Sequence, residues 1–246
     1  MTSSDIENIE RATVAAVSPE EQLEIEGWLL PFDSGTVSRA KSAVPLLHQP
    51  PAGGVVDRIE GLYRARGKRA VFRLANEACF DALRRELRAR GYTAGKPVLV
   101  EVAQVLSMRG VSAQALAETA GTPDEAWAAL FLAEGFDPVD GASRVRSLSR
   151  GRDSLFASVR EGGKAITAGA AAFSHGWSSV HGMRTDPAHR GKGLAGRVLA
   201  AMAEAAMQRG IERAFLQVEE GNAAARALYR RAGFKTVWSY DYWTQA

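Results

Sequence analysis

Apolar residues in the second half of the chain switch between a two-residue and a three-to-four-residue rhythm, and each switch marks an element. Pro123 to Gly135 and Ala142 to Arg150 carry the helical pattern. Ser154 to Arg160 and Ala165 to Phe173 alternate as strands across the turn Glu161-Gly162-Gly163-Lys164. A tight turn at His175-Gly176 leads into a strand from Trp177 to Arg184. Leu194, Val198, Leu199, Met202, Ala205 and Ala206 then share one helical face, closed by Arg209-Gly210. The spacing predicts a strand over 211–218, a helix over 222–232 with Ala225, Leu228 and Tyr229 on one face, and a strand over 235–240. An antiparallel meander followed by alternating helix and strand predicts a mixed α/β (α+β) fold, a mostly antiparallel mixed sheet flanked by helices.

The first half repeats the later part of this order. Trp28–Phe32 and Val37–Leu46 predict a hairpin about Asp33-Ser34-Gly35. A helix carrying Ile59, Leu62 and Tyr63 stops at Gly67, and Ala70 to Leu74 reads as a strand. A helix carrying Phe80, Leu83 and Leu87 stops at Gly91, and Pro97 to Val102 is another strand. The glycine stops at 67 and 91 match those at 210 and 233 with an offset of about 142, which points to a duplicated domain. The expected division is 1–103, a helical connector over 104–123, and 124–246. Val111 to Gly121 has the rhythm of two helices of a helix-turn-helix, but the next helix, from Asp124, is acidic and apolar where a DNA reader needs a basic face. A connector is the better reading, and no nucleic-acid partner is expected.

Composition narrows the classes. With 246 residues, 46% of them hydrophobic, the chain can build one large or two ordinary cores. Lysine and arginine number 31 against 28 acids, so any basic function must be local. The single cysteine, Cys79, excludes an internal disulfide and reads as a small hydrophobe on a helix face. The polar, acidic opening lacks a signal-peptide pattern, and no apolar run approaches the roughly 20 residues of a membrane span. A cytoplasmic protein with no membrane partner and no metal site is expected.

The densest chemistry lies in His181 to Ala195. A strand stops at Asp186-Pro187, and Arg190-Gly191-Lys192-Gly193 opens a helix. Glycines there leave N–H groups uncovered, the helix dipole adds roughly half a positive charge, and Arg190 and Lys192 add whole ones. The run reads as a pyrophosphate cradle, although taken alone a solvated basic turn explains it equally well. It is neither a Walker loop nor the GxGxxG fingerprint.

Arg190-x-x-Gly193-x-Ala195 resembles the Q/R-x-x-G-x-G/A signature of the GCN5-related N-acetyltransferase (GNAT) superfamily, which binds acetyl-CoA. A second element of that family follows in order: the strand through Leu216-Gln217-Val218, Asn222 capping a helix, then Ala225, Leu228 and Tyr229 before Gly233-Phe234. The resemblance covers the chain from about residue 124 onward. It implies that Arg190, Gly191, Lys192, Gly193, Leu194 and Ala195 hold the coenzyme diphosphate. It also implies that the strand ending at Met183-Arg184-Thr185 bulges away from the 211–218 strand, with the pantetheine arm in the gap and the Met183 N–H aimed at the thioester carbonyl. Asn222 and Ala225 would meet the same arm, and Tyr229 would be the general acid, also lying against the coenzyme. At the offset, Pro50 and Pro51 fall opposite the cradle, Phe80 opposite Asn222 and Leu87 opposite Tyr229. The chain thus resembles a tandem GNAT protein, with two GNAT-like domains of which the first is a degenerate copy that shapes the acceptor cleft.

The general base stays open. Several GNAT enzymes place a glutamate where this chain has Ser179. His181 shares that strand face, and Glu219 and Glu220 could act through water. The aromatic run Val237 to Trp243 suits an acceptor wall or a final core strand, alternation placing Tyr240 and Tyr242 on one face with Trp238 elsewhere. The function implied is transfer of the acetyl group of acetyl-CoA to a primary amine by direct attack in a ternary complex, since no cysteine lies near the motifs. The amine belongs to a small molecule or to a protein lysine or N-terminus. The alternative is a non-catalytic acyl-CoA-binding regulator.

Overall fold

The computed structural model describes residues 1–245. Helix α1 (Ser3–Val17) leads into strands β1 (Glu21–Ile25), β2 (Trp28–Phe32) and β3 (Val44–Pro45). Helix α2 (Val55–Arg64), strand β4 (Phe72–Ala75), helix α3 (Asp81–Ala89) and strands β5 (Thr93–Ala94) and β6 (Val98–Gln104) complete the first half. A link containing helix α4 (Val105–Arg109) and strand β7 (Glu118–Ala120) crosses to helices α5 (Glu125–Ala129) and α6 (Pro138–Ser149). Strands β8 (Ser154–Glu161), β9 (Lys164–Ser174) and β10 (Trp177–Thr185) form the predicted meander. Helix α7 (Leu194–Gln208), strand β11 (Arg213–Glu219), helix α8 (Ala223–Arg231) and strand β12 (Lys235–Thr244) follow.

Nine strands share one sheet in the order β4-β12-β6-β11-β10-β9-β8-β7, with β5 on β12. The β10–β11 pair is parallel and the rest are antiparallel. The strands β1-β2-β3 form a smaller sheet that touches the large one through a parallel bridge between Ala43 and Phe72. The duplication is visible in the elements: an offset of 142 carries α3 onto 223–231, the span of α8, and sets β4 inside β11. The mixed α/β fold is therefore present, but the halves interlock. β6 of the first half pairs with β11 from Arg213 to Glu219, while β12 of the second pairs with β4 from Tyr240 to Trp243. β6 and β12 lie side by side between them. Each half thus completes the other's sheet, and one core cluster runs through Trp28, Phe72 and Phe80 into Trp177, Phe215, Trp238 and Trp243.

Helix α1 extends this mixing. A capping box between Thr2 and Asp5 starts it, and Asp5 holds Arg213 of β11 at 2.6 Å. Its buried face, including Ile9 and Ala12, packs on the same cluster as Trp177 and Phe215. Helix α7 covers the opposite face, where Val198, Leu199 and Met202 meet Val180 and Leu216.

Three local expectations differ from the structure. The tight hairpin lies at Glu26-Gly27, between β1 and β2, rather than at Asp33-Ser34-Gly35. Both turn residues have positive φ, +46° and +78°, the conformation that matches a two-residue turn to strand twist. Asp33 instead accepts from the Gly35 amide at 2.7 Å, and the chain then wanders through a 3₁₀ turn at Ser38–Ala40. Within 104–123, helix is confined to Val105–Arg109, and Glu118–Ala120 pairs with β8 as an edge strand. Trp238 joins Tyr240 in the shared core rather than facing elsewhere, because the two lie two residues apart on a regular stretch of the ladder to β6 and so share a strand face. Among the described residues no helix is long and apolar enough to cross a membrane.

Candidate active site

Parallel pairing of β10 with β11 lasts only from Ser178–Val180 to Ala214–Leu216. Beyond it β10 bulges: the ladder to β9 slips between His181 and Arg184, which takes Gly182 and Met183 out of register. Gly182 sits at φ +60°, and a Cβ there would come within 3.0 Å of Leu148 and 3.2 Å of the Phe131 ring. The position therefore requires glycine on both counts. The separated strands leave a groove of about 940 Å³.

One end of the groove is built by the turn before α7. Asp186 caps a short turn by accepting from the Ala188 amide at 2.9 Å, and His189 is held between Asp186 and Glu161, each at 3.1 Å. Gly191 and Gly193 both adopt positive φ, +78° and +76°, and no side chain caps α7 at Gly193. The first backbone bond of the turn runs from Gly196 to the Gly193 carbonyl, so the preceding amides stay available to an anion. Arg190, Gly191, Gly193, Leu194 and Ala195 line the groove, whereas Lys192 is exposed and lies outside its lining. The connector braces this end: Arg197 Nε donates to the Ala115 carbonyl at 2.6 Å.

The other wall comes from α8. Asn222 caps it by accepting from the Ala225 amide at 3.2 Å, and Ala225, Leu228 and Tyr229 face the groove. Tyr229 is buried among apolar groups, and its hydroxyl has no partner among the described residues. Burial, helped by the carboxylate of Glu101, pushes its pKa up to about 12. Glu219 is exposed at the end of β11, on the rim.

His181 is buried on the α1 side of the sheet. Ser179 Oγ donates to the Ala172 carbonyl at 3.1 Å, so its lone pairs accept from His181 Nε2 at 2.8 Å. That chain fixes the tautomer and leaves Nδ1 as a lone-pair nitrogen, buried and without a partner among the described residues. Burial, with Arg39 adding to it, holds its pKa well below the ordinary 6.5. The imidazole is neutral at physiological pH.

The family model described as "Probable histone acetyltransferase Rv0428c C-terminal" matches residues 3–243. The chain belongs to this family. Over 243 residues it is 26% identical to the uncharacterized N-acetyltransferase YobR of Bacillus subtilis (strain 168), covering 97% of this chain and 98% of YobR. Its fold is similar to that of a GCN5-related N-acetyltransferase from Kribbella flavida, with a TM-score of 0.72 at 18% identity, covering 97% of this chain and 94% of the other. A tandem GNAT protein from the clavulanic acid biosynthesis pathway gives a TM-score of 0.61 at 12% identity, covering 97% and 86%.

The groove gathers Met183, Arg184, Thr185, Arg190, Gly191, Gly193, Leu194, Ala195, Asn222, Ala225, Tyr229, His181 and Glu219. It also holds residues that sequence reasoning missed. Arg39 reaches it from the loop after β2, its Nη1 donating to Gln217 Oε1 at 2.9 Å. Arg144 of α6 lines it too, paired with Asp140 at 2.6 Å. Phe136 supplies a ring against the Arg184 guanidinium, 4.4 Å from its centroid. No local motif marks Arg39, because its partner lies 178 residues away. Gln217 carried a signal, since it sits inside the second motif and shares strand parity with Glu219. Cys79 lies outside the groove lining, and burial raises its thiol pKa.

Proposed function

We propose that the protein moves the acetyl group of acetyl-CoA to a primary amine by direct attack within a ternary complex. The observation that carries this reading is the meeting, in one groove, of an uncapped double-glycine turn, a bulged strand out of register and a largely buried tyrosine whose hydroxyl bonds no described residue. These residues fit the coenzyme: the space where a Cβ at Gly191 would stand is empty, the turn carries Arg190, and the divergent strands leave room for an extended arm. Bound there, acetyl-CoA supplies an activated thioester carbonyl.

Arg190 and the amides of Gly191 to Ala195 hold the diphosphate, with Lys192 adding charge from outside the groove. Met183, Arg184 and Thr185 present backbone along the arm, opposite Asn222 and Ala225. The Met183 N–H donates to the carbonyl oxygen as negative charge builds on it, a contact whose loss typically costs about 10²- to 10³-fold in rate. Tyr229, with its pKa raised to about 12, stays protonated at neutral pH and gives its proton to the departing sulfur. Neutral His181 offers its Nδ1 lone pair to the amine N–H, which orients the nucleophile. Its depressed pKa makes it a poor terminal proton acceptor, so Glu219, through water, carries the ammonium proton to solvent.

The test is thiol release from acetyl-CoA across an amine panel. Amine-dependent release, reduced about 10²-fold or more in Tyr229→Phe, is expected. Tight coenzyme binding with no amine-dependent release would support the regulator reading instead.

A further inference from the structure

We infer that the acceptor amine carries its own carboxylate, and that Arg39 is the group that binds it. The inference rests on the acetyl-transfer reading above and narrows its substrate to amino-acid-like molecules. It starts from an ion that lacks a counter-ion. Arg39 lines the groove, and of its five N–H donors only Nη1 has a protein partner among the described residues, the neutral amide of Gln217. Nε and Nη2 form the other edge of the guanidinium, two parallel donors in the geometry that takes a carboxylate bidentately.

The surroundings offer no anion to that edge. The charged groups bearing on Arg39 are Arg73 and Arg144, and its polar neighbours are neutral: Gln217, His181 and the hydroxyls of Tyr240 and Tyr242. Glu10 is engaged by Arg73 at 2.6 Å, and Asp140 by Arg144 at 2.6 Å. Asp140 also faces Arg184 at 3.4 Å, so one carboxylate serves two arginines while Arg39 has none. Arg39 is half-buried, and its unpaired edge opens on the groove, where a ligand can complete it.

The coenzyme diphosphate does not complete this one. Arg39 and Gln217 belong with His181 on the α1 side of the sheet, where Trp177 and Phe215 meet Ile9. The cradle opens α7 on the other side, where Val180 meets Val198. Arg39 therefore faces the molecule that brings the amine to His181. A lysine-rich tail would add positive charge beside Arg39, Arg144 and Arg184, whereas an amine with an adjoining carboxylate would neutralise one of them.

Amino acids, the matching amino-acid amides and a lysine-rich peptide, offered as acceptors with acetyl-CoA, decide the matter. The free acids are expected to exceed their amides in kcat/KM by about 10- to 100-fold. In Arg39→Gln that ratio is expected to fall toward one while coenzyme affinity, read at the far end of the groove, keeps its wild-type value. Amides or peptide used as well as free acids, or an unchanged ratio in the variant, would overturn the inference while leaving acetyl transfer intact. If no amine is acetylated, calorimetry of amino acids and amides with coenzyme-saturated protein still tests Arg39: acids alone should bind, and only when Arg39 is present.

Discussion

The same turn-and-helix arrangement occurs twice in this molecule, and only one copy is open. Gly54 opens α2 at φ +72° just as Gly193 opens α7 at +76°, and neither helix has a side-chain cap. The residues around the two turns differ in kind. Arg190, Gly191 and Gly193 precede α7; Gly53 and Gly54 precede α2 as well, but they follow Pro50 and Pro51, which have no N–H to give, and Arg58 Nη2 is turned onto the Gly53 carbonyl at 3.2 Å. His48 then packs edge-on against Phe80 and Trp238, with centroids 6.0 and 5.2 Å away. Phe80 and Leu87, at the positions of Asn222 and Tyr229 in the offset, are wholly buried. A helix start is thus insufficient for an anion site. Donors, a free cation and an open wall are needed together; in the first copy Arg58 is engaged by Glu26 and the Gly53 carbonyl, and the wall positions are core. What it contributes instead is β6, the sheet partner of β11, and Arg39, which enters the live groove.

The largest effect should come from separating the copies. Residues 104–246 expressed alone lose all of β6 but Gln104, with it the β6–β11 ladder, and most of the shared core, so no cooperative thermal transition is expected by circular dichroism. A folded fragment that binds coenzyme would show the halves to be independent. Next come the paired positions Tyr229 and Leu87. Tyr229→Phe should lower kcat by about 10²- to 10⁴-fold with coenzyme affinity kept. Leu87→Ala should cost about 2–5 kcal/mol in chemical denaturation and leave kcat near wild type, because it leaves a cavity in the filled copy.

Gly182→Ala is a smaller test of the opening itself. The strained φ and the contacts with Leu148 and Phe131 predict a loss of about 1–3 kcal/mol in denaturant titrations. The smallest effect concerns pH. The folded pKa of His181 lies well below 6.5, so its contribution is complete above pH 6.5. As pH falls further, the unfolded chain takes up a proton that the folded state refuses, and stability drops by up to about 1.4 kcal/mol per pH unit. Comparing denaturation at pH 7 and pH 5 in wild type and His181→Gln should show a shallower loss in the variant. Equal losses would place His181 in water rather than in the wall.

The open copy was largely legible from sequence because its information is local. Arg190 to Ala195, the bulge at Gly182 and the cap at Asn222 each reside in a few consecutive residues, and all but Lys192 of the first run line one groove with the other two. The exchange of β6 and β12 was not legible, since periodicity reports which face of a strand is buried and not which strand lies beside it. Helix α1 escaped notice because Ala12, Ala16 and Thr13 carry much of its buried face, which weakens the apolar stripe. The hairpin was misplaced because Asp33-Ser34-Gly35 has turn chemistry and uses it for a local turn, while Glu26-Gly27 closes the strands. Arg39 was beyond reach for the same reason as the strand exchange: it acts through residues far along the chain.

The most direct measurement is isothermal titration of the full-length protein with coenzyme A, alongside Arg190→Glu. One site per chain, weakened about 10- to 100-fold by the charge reversal, is the predicted result. Two sites per chain, no binding, or an affinity indifferent to Arg190 would contradict the claim that a single open copy grips the coenzyme.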